Sequence, residues 1–411
     1  MFKRVLSLFL VAVMLLSAAF AFSSCNQEPE NPEQPGGGSA KKIKAALICL
    51  HGDSSTYDKN FIDAFKKACA NKGLTEADYT IVTDIPEGTE CYDKAADFAD
   101  NGYDVVFADS FGHEAHMIEA AKEFPNVQFC HATGTKAHTE NLSNFQNAFA
   151  SIYEGRYLAG VAAGLKLVEL YGDAEDKVSD ENAKIGYVGA FPYAEVVSGY
   201  TSFFLGARSV CPSVTMKVRY TKSWYNEAEE KSAAEALITK DKCVLISQHA
   251  DSMGAPNACE VAGVPNVSYN GSTVAACPET FIVSSAINWT PYYVYIVKQV
   301  VTGKEIAVDW CGGIKEGSVV LSAINLDVAA EGTFEKIQEL VTKIQAGELD
   351  VFDIDTFTVN GKKVESYLAD VDDMGDYKGE TEAIKDGAFA ESSDRSAPYF
   401  DLRIDGITEL S

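Results

Sequence analysis

IKAALICL (Ile43–Leu50), YTIVTDI (Tyr79–Ile85), DVVFAD (Asp104–Asp109) and VQFCHA (Val127–Ala132) are short apolar runs, nearly continuous in hydrophobicity. Between them lie stretches with helical spacing: Phe61, Ala64, Phe65 and Ala68 mark a helix over Asn60–Lys72. Further helices are predicted over Cys91–Asn101 and His113–Phe124, the last stopped by Pro125. Strands that alternate with helices and are apolar on both faces make a parallel sheet covered on both sides.

The pattern then restarts. Ser151–Tyr171 reads as a long helix, followed by a polar, acidic loop and strands at Lys184–Gly189, Thr215–Thr221, Lys242–Gln248 and Asn266–Asn270. Phe281–Ile287 (FIVSSAI) is a further strand, expected to lead back to the first sheet. Past Val320 the signal thins to one helix (Phe334–Gln345), two short strands around Phe357 and Lys363, and an acidic tail. About 370 residues from Lys42 onward exceed what one core sustains. The fold class is therefore α/β, with two Rossmann-like, doubly wound lobes. The expected division is 42–145 plus 286–322 for one lobe and 146–285 plus 323–411 for the other.

Ahead of these lobes stands MFKRVLSLFLVAVMLLSAAFAFSSC (Met1–Cys25): two cations, an apolar run, then small residues before a cysteine. That is the layout of an export signal. It is read here as a lipoprotein signal over 1–24, with Cys25 lipidated and the protein held outside the cytoplasm. An uncleaved membrane anchor and an ordinary signal peptide are the other readings of the same run. Asn26–Ala40, rich in Pro and Gly, cannot bury a core, so residues 25–41 form a tether.

The formal charge is −26, and −28 once Lys3 and Arg4 leave with the signal. Nucleic acid is thereby excluded as a partner, because it needs basic patches. Ten cysteines leave nine after Cys25, none in C-x-x-C spacing, so neither a zinc pattern nor a disulfide framework is predicted. Buried free thiols are expected instead.

Open parallel sheets bind ligands beyond the carboxyl ends of their strands. There the first sheet offers Asp53 with Tyr57, Phe111, and His131. The second offers Glu195, Trp224, Gln248 with Asp251, Asn270, and Asn288 with Trp289. Turn chemistry alone enriches such loops in Gly, Asp and Asn, but not in aromatic rings. The set suits a flat, uncharged molecule with polar edges. Tyr57 and Trp224 or Trp289 would stack on it, Glu195 and Asp251 would accept from its N–H groups, and Asn288 or Gln248 would pair with its edge.

Catalysis finds less support. LICLHGD (Leu47–Asp53) has the His-Gly turn of α/β-hydrolases, yet no G-x-S-x-G elbow follows. His113-Glu114-Ala115-His116 lacks the H-E-x-x-H spacing and reads as exposed helix residues. No G-x-G-x-x-G or G-x-x-x-x-G-K motif occurs. Neither an enzymatic activity, a cofactor nor a metal is predicted.

Several segments resemble the basic membrane protein, or PnrA-like, family of substrate-binding lipoproteins that serve ABC importers. They are FCHATG (Phe129–Gly134), IYEGRYLAGVAAG (Ile152–Gly164), IGYVGAFPYAEVVSGYTSFFLGARSVCP (Ile185–Pro212), VRYTKSWYNEAEEKSAAEALI (Val218–Ile238), LISQHADS (Leu245–Ser252) and INWTPYY (Ile287–Tyr293). The resemblance implies a type 1 periplasmic-binding-protein fold, two lobes joined by three crossovers that close on a small ligand. It also implies an ABC permease as partner, a membrane tether at Cys25, and a purine-type ligand bound by a monomer. Nucleoside-binding members carry an aspartate on the ribose where this chain has Asn270, a lysine near Ile287-Asn288-Trp289, and a base-touching aspartate where it has Thr133. A free base such as adenine is accordingly favoured over a nucleoside. A non-transport surface sensor for a sugar-like ligand would share tether, fold and cleft, and is the alternative; an enzyme acting on a heterocycle comes third.

Overall fold

The computed structural model describes residues 42–171, 183–372 and 378–410. The expected signal, the tether and Cys25 lie outside the described residues, as does the acidic loop after Tyr171. The first sheet collects β1 (Ala45–Ile48), β2 (Tyr79–Val82), β3 (Val105–Ala108), β4 (Gln128–Ala132), β5 (Phe145–Ala150) and β11 (Asp309–Gly312). All six are parallel, in the order β11–β5–β4–β3–β1–β2. Helix α1 (Thr56–Asn71) follows β1 and buries the predicted Phe61, Ala64, Phe65 and Ala68. It starts at Thr56, not Asn60, because Ser55 caps it: the Ser55 hydroxyl accepts from Asp58 N at 3.1 Å. Helices α2 (Thr89–Asp100) and α3 (Glu114–Glu123) pack with the buried faces of β1 and β3 in a second core.

The chain leaves this sheet after β5 and enters α4 (Ile152–Tyr171) of the second lobe. There β6 (Lys184–Gly189), α5 (Ala194–Val210), β7 (Thr215–Tyr220), α6 (Glu227–Thr239), β8 (Leu245–His249), α7 (Gly254–Ala262), β9 (Asn266–Tyr269) and β10 (Phe281–Ile287) follow in turn. With β12 (Val319–Leu321) and a last strand, β13 (Ile407–Leu410), they form a seven-stranded sheet ordered β12–β10–β9–β8–β6–β7–β13. Only the β10–β12 pairing in it is antiparallel. Crossovers occur at β5 to α4, at β10 to α8 (Thr290–Thr302), and at β11 to β12. Helix α8 packs on α1 of the first lobe.

Each crossover follows the carboxyl end of a strand, which moves three expected boundaries, the one at 322/323 because β12 already belongs to the second sheet. β5 lies wholly in the first sheet and β10 wholly in the second, so divisions at 145/146 and 285/286 fall inside strands. It is the chain after Phe281–Ile287, not that strand, that rejoins the first lobe.

The second lobe is built around a close α4–α5 contact. An added Cβ at Gly160 would sit 1.9 Å from Phe203 O, and one at Gly206 would sit 2.0 Å from Tyr157 O. Each helix thus spends a glycine where the other's backbone approaches. Helix α9 (Thr333–Ala346) matches the predicted span, and the strands expected near Phe357 and Lys363 reduce to one bridge between Val359 and Lys362. Among the described residues all nine cysteines are free thiols, and eight of them are buried.

Candidate functional site

The strand ends of the two sheets face one another across a cavity. From the first lobe, Leu50 and His51 follow β1, Tyr57 and Asp58 stand in the first turn of α1, Ser110 and Phe111 follow β3, and Thr133 follows β4. From the second, Glu195 opens α5, Trp224 follows β7, His249 ends β8 with Asp251 just beyond, and Tyr269 ends β9. Every wall residue lies at or just past a carboxyl strand end, where the fold predicts a ligand.

The lobes touch around this cavity. Thr56 N and Oγ1 donate to Asp251 O at 3.3 Å each, and Asn60 Nδ2 donates to Asn270 O at 2.8 Å. Ring pairs also bridge the lobes, His51 with Tyr225 (5.2 Å) and Phe111 with Tyr193 (5.8 Å). Tyr193 stacks on Phe191 at 5.0 Å, and both approach Trp224, so the rim is aromatic. This is the closed arrangement of two lobes.

Its electrostatics are acidic. Burial pushes the Asp109 carboxyl well above the usual carboxylate range, and Asp58 beside it adds to the shift. Asp251 is likewise held up, by burial first and then by Asp58, Glu230 and Glu195. Burial raises Tyr57, whose hydroxyl donates to Asp109 O at 2.5 Å, so it acts as a neutral phenol. His249 lies 3.3 Å from Glu195 Oε1; burial lowers its pKa and the carboxylate opposes that only in part. Behind the wall, the fully buried Arg156 donates to Tyr187 OH (3.0 Å), Ser247 Oγ (2.8 Å), Ser285 Oγ (3.3 Å) and Ser268 O (3.3 Å). Its guanidinium lies 5.3 Å from the Tyr269 ring, placing one positive charge beneath the acids.

Thr133 is strained. This β-branched residue has φ +71°, a conformation that costs free energy and that surrounding structure must enforce. Cys49, Asp58 and Asp109 bring ligand atoms within 4.8 Å of one another. Asp109 Oδ1 accepts from Leu50 N at 3.2 Å and Asp58 Oδ1 from His51 N at 2.8 Å, so backbone N–H groups hold both carboxylates in place.

Of the sequence-predicted residues, Tyr57, Phe111, Glu195, Trp224 and Asp251 line the cavity. Six do not. Asp53 is exposed in the loop before α1. His131 is fully buried between Ser110 O (2.7 Å) and Asn147 Oδ1 (3.0 Å), tying β4 to its neighbours. Gln248 is buried with its carbonyl accepting from Asn266 Nδ2 at 3.1 Å. Asn270 sits behind Asp251 and donates to it at 3.4 Å. Asn288 closes the turn into α8, donating to Gly317 O and accepting from Thr290 N. Trp289 is core, stacked on Phe61 at 4.3 Å. Alternation explains three of these: successive side chains of a strand point to opposite faces, so only part of each strand end reaches the cleft. His113, expected exposed, is buried and donates to Ile85 O at 3.0 Å.

Asp58 was not singled out, although its place one residue after Tyr57 carries it. His249 and Tyr269 end the observed β8 and β9, each one residue from a predicted strand end (Gln248 and Asn270), a signal that position alone supplies.

Three comparisons bear on this geometry. A purine-binding protein of Brucella abortus is 32% identical over 289 residues, covering 69% of this chain and 77% of its own. A putative ABC transporter glucose-binding protein of Haloferax volcanii is 33% identical over 255 residues, covering 62% of this chain and 60% of its own. Among solved structures, an ABC transporter solute-binding protein of Conexibacter woesei matches 75% of this chain and 97% of its own, with a TM-score of 0.59 at 19% identity. The fold is that of type 1 periplasmic solute-binding proteins, as the strand orders and crossovers above require. A family model described as "ABC transporter substrate-binding protein PnrA-like" covers residues 51–355, and the chain belongs to that family.

Proposed function

We propose that this substrate-binding protein captures a purine, a free base such as adenine, between its closing lobes and delivers it to an ABC permease. One observation carries the reading: a closed cavity at facing strand ends joins an aromatic wall (Tyr57, Phe111, Trp224) to acidic acceptors from both lobes (Asp58, Glu195, Asp251). A flat ring with N–H groups on two edges fits that combination, the rings covering its faces and the acids accepting from its edges. The similarity to the Brucella purine-binding protein supports it. The Haloferax relative supports a second reading, a sugar, because hydroxyls also donate to carboxylates and sugars also lie on aromatic faces.

The same proposal places the protein outside the cytoplasm, as in its family, tethered as a monomer through lipidated Cys25. Among the described residues no helix is long and apolar enough to cross a membrane. The family is one of binding proteins, and binding without turnover is the expected activity.

A melt panel of protein lacking residues 1–25 tests the ligand. Adenine, guanine, hypoxanthine, adenosine, guanosine and glucose would each be added in excess. At a hundredfold excess over Kd a ligand stabilises by about 2.7 kcal/mol, several degrees in a melt. A purine shift is expected; a shift with glucose alone would replace the purine reading with the sugar one. Silence from every purine ends the proposal.

A further inference from the structure

The family match ends at residue 355, yet the chain continues and folds over the cleft. Its body is fixed to the second lobe. β13 extends that lobe's sheet beside β7. Phe352, Phe389 and Phe400 form a small core, with Phe352 on Phe400 at 4.3 Å and Tyr153 of α4 against Phe352 at 5.2 Å. Glu391 accepts from Ser198 of α5. From this anchor the segment reaches the first lobe. Ser396, 1% exposed, donates from both N (2.9 Å) and Oγ (2.5 Å) to Oδ1 of Asp309, the first residue of β11. The other Asp309 oxygen faces His138 at 3.9 Å.

The segment also walls an open chamber that shares Phe111, Thr133 and Glu195 with the inner cavity. Tyr193 and Lys136 line its lobe sides, and Tyr399 belongs to the segment. A ligand passing between solvent and inner cavity on this flank crosses that chamber.

We infer that residues 378–401 are a latch across the cleft mouth, holding the closed state through Ser396 and Asp309 and slowing ligand release through the chamber. The asymmetry of the contacts carries this. An apolar core and an added strand bind one lobe without reserve, whereas among the described residues the segment meets the other through polar contacts, foremost the two hydrogen bonds to the Asp309 carboxylate, which can break as the lobes part. Because Ser396 is fixed to one lobe and Asp309 to the sheet of the other, lobe opening must separate them. Hydrogen bonds to a charged acceptor are among the stronger ones, so losing both is a perturbation on the order of tenfold in the closed-state population.

The inference rests on the closing-lobe reading, and the test separates the two. Asp309→Ala removes the acceptor and Asp309→Asn restores one. In Asp309→Ala, adenine dissociation, followed by tryptophan fluorescence in stopped flow, should be on the order of tenfold faster. The apo radius of gyration from small-angle scattering should rise, and Asp309→Asn should stay near wild type in both. Unchanged dissociation and an unchanged radius in Asp309→Ala overturn the latch. Should adenine fail to bind wild type, the purine reading falls while scattering on apo protein still decides the latch. If Asp309→Ala melts early, Ser396→Ala, which removes one bond of the two, takes its place with a smaller shift in the same direction.

Discussion

Replacing Glu230 by glutamine should stabilise the apo protein progressively as pH rises. Glu230 is fully buried in the first turn of α6. Its carboxylate accepts from Asn226 N at 3.1 Å and from Ser252 N at 3.2 and 3.3 Å. Burial outweighs these bonds and lifts its pKa from 4.5 to about 7. The folded state therefore holds this proton more tightly than the unfolded chain does. Below the unfolded value both states are protonated and the group costs nothing. Between the two values the unfolded chain ionises first and stability falls; above the folded value the loss is complete. At about 1.36 kcal/mol per unit, the shift from 4.5 to about 7 corresponds to about 3 kcal/mol. Glutamine has the same shape, keeps a carbonyl acceptor for these N–H groups and cannot ionise. The difference between variant and wild type should therefore move by about 3 kcal/mol in the variant's favour from about pH 4.5 to about pH 7.5. Titrating groups that do not feel Glu230 cancel in that difference, and Asp251, which Glu230 helps to hold up, is relieved in the variant and moves it in the same direction. Urea unfolding at three pH values measures it. A difference that stays flat with pH, or drifts toward wild type, refutes the buried-acid argument.

Two further outcomes separate site from scaffold. Asp251→Ala should abolish purine-induced stabilisation while leaving the apo melt within a few degrees, whereas Trp289→Ala should cost roughly 3–5 kcal/mol of stability because the ring is core; isothermal titration and a melt on both variants distinguish them. Gly160→Ala should force α4 and α5 apart, since its Cβ would meet Phe203 O at 1.9 Å, at a cost of roughly 1–3 kcal/mol or more. An unchanged melting temperature would show that the helices have room there.

The doubly wound fold was legible because buried parallel strands are apolar throughout, so β1 (AALI) and β3 (VVFA) declare themselves without neighbours. β5 (FQNAFA) was missed because polar residues interrupt it; Gln146 and Asn147 are buried but paired, Asn147 with Glu114 at 2.8 Å. β13 (ITEL) was missed because an edge strand needs little hydrophobicity and only its partner β7 defines it. In the site, the sequence located strand ends but not which side chains turn toward the cleft. Trp289 and Tyr57 look alike in sequence. One stacks in the core and the other opens a helix at the cavity wall, a difference fixed by helix register and by Ser55 as cap. The segment past residue 355 was unreadable, because its core forms only against α4 and α5 of a lobe built two hundred residues earlier in the chain.

The acids link closure to capture. Asp58 belongs to the first lobe, Glu195 and Asp251 to the second, and all three line one cavity. Asp58 contributes to the raised pKa of Asp251, and Glu195 to that of Tyr57, so each lobe feels the other's charge. Empty closure thus gathers like charges and strips their water, both unfavourable, and Arg156 behind Tyr269 opposes it. On the proposed function, donors presented to both lobes would reverse this balance: an N–H on one edge would satisfy Glu195 or Asp251, and one on the other edge would reach Asp58. A ligand with a single donor edge would leave one lobe's acids unpaired and gain little from the closed state over the open one. Only differential affinity shifts such an equilibrium. The sharing of the acids between lobes therefore makes donor-rich, two-edged ligands the ones that close the protein.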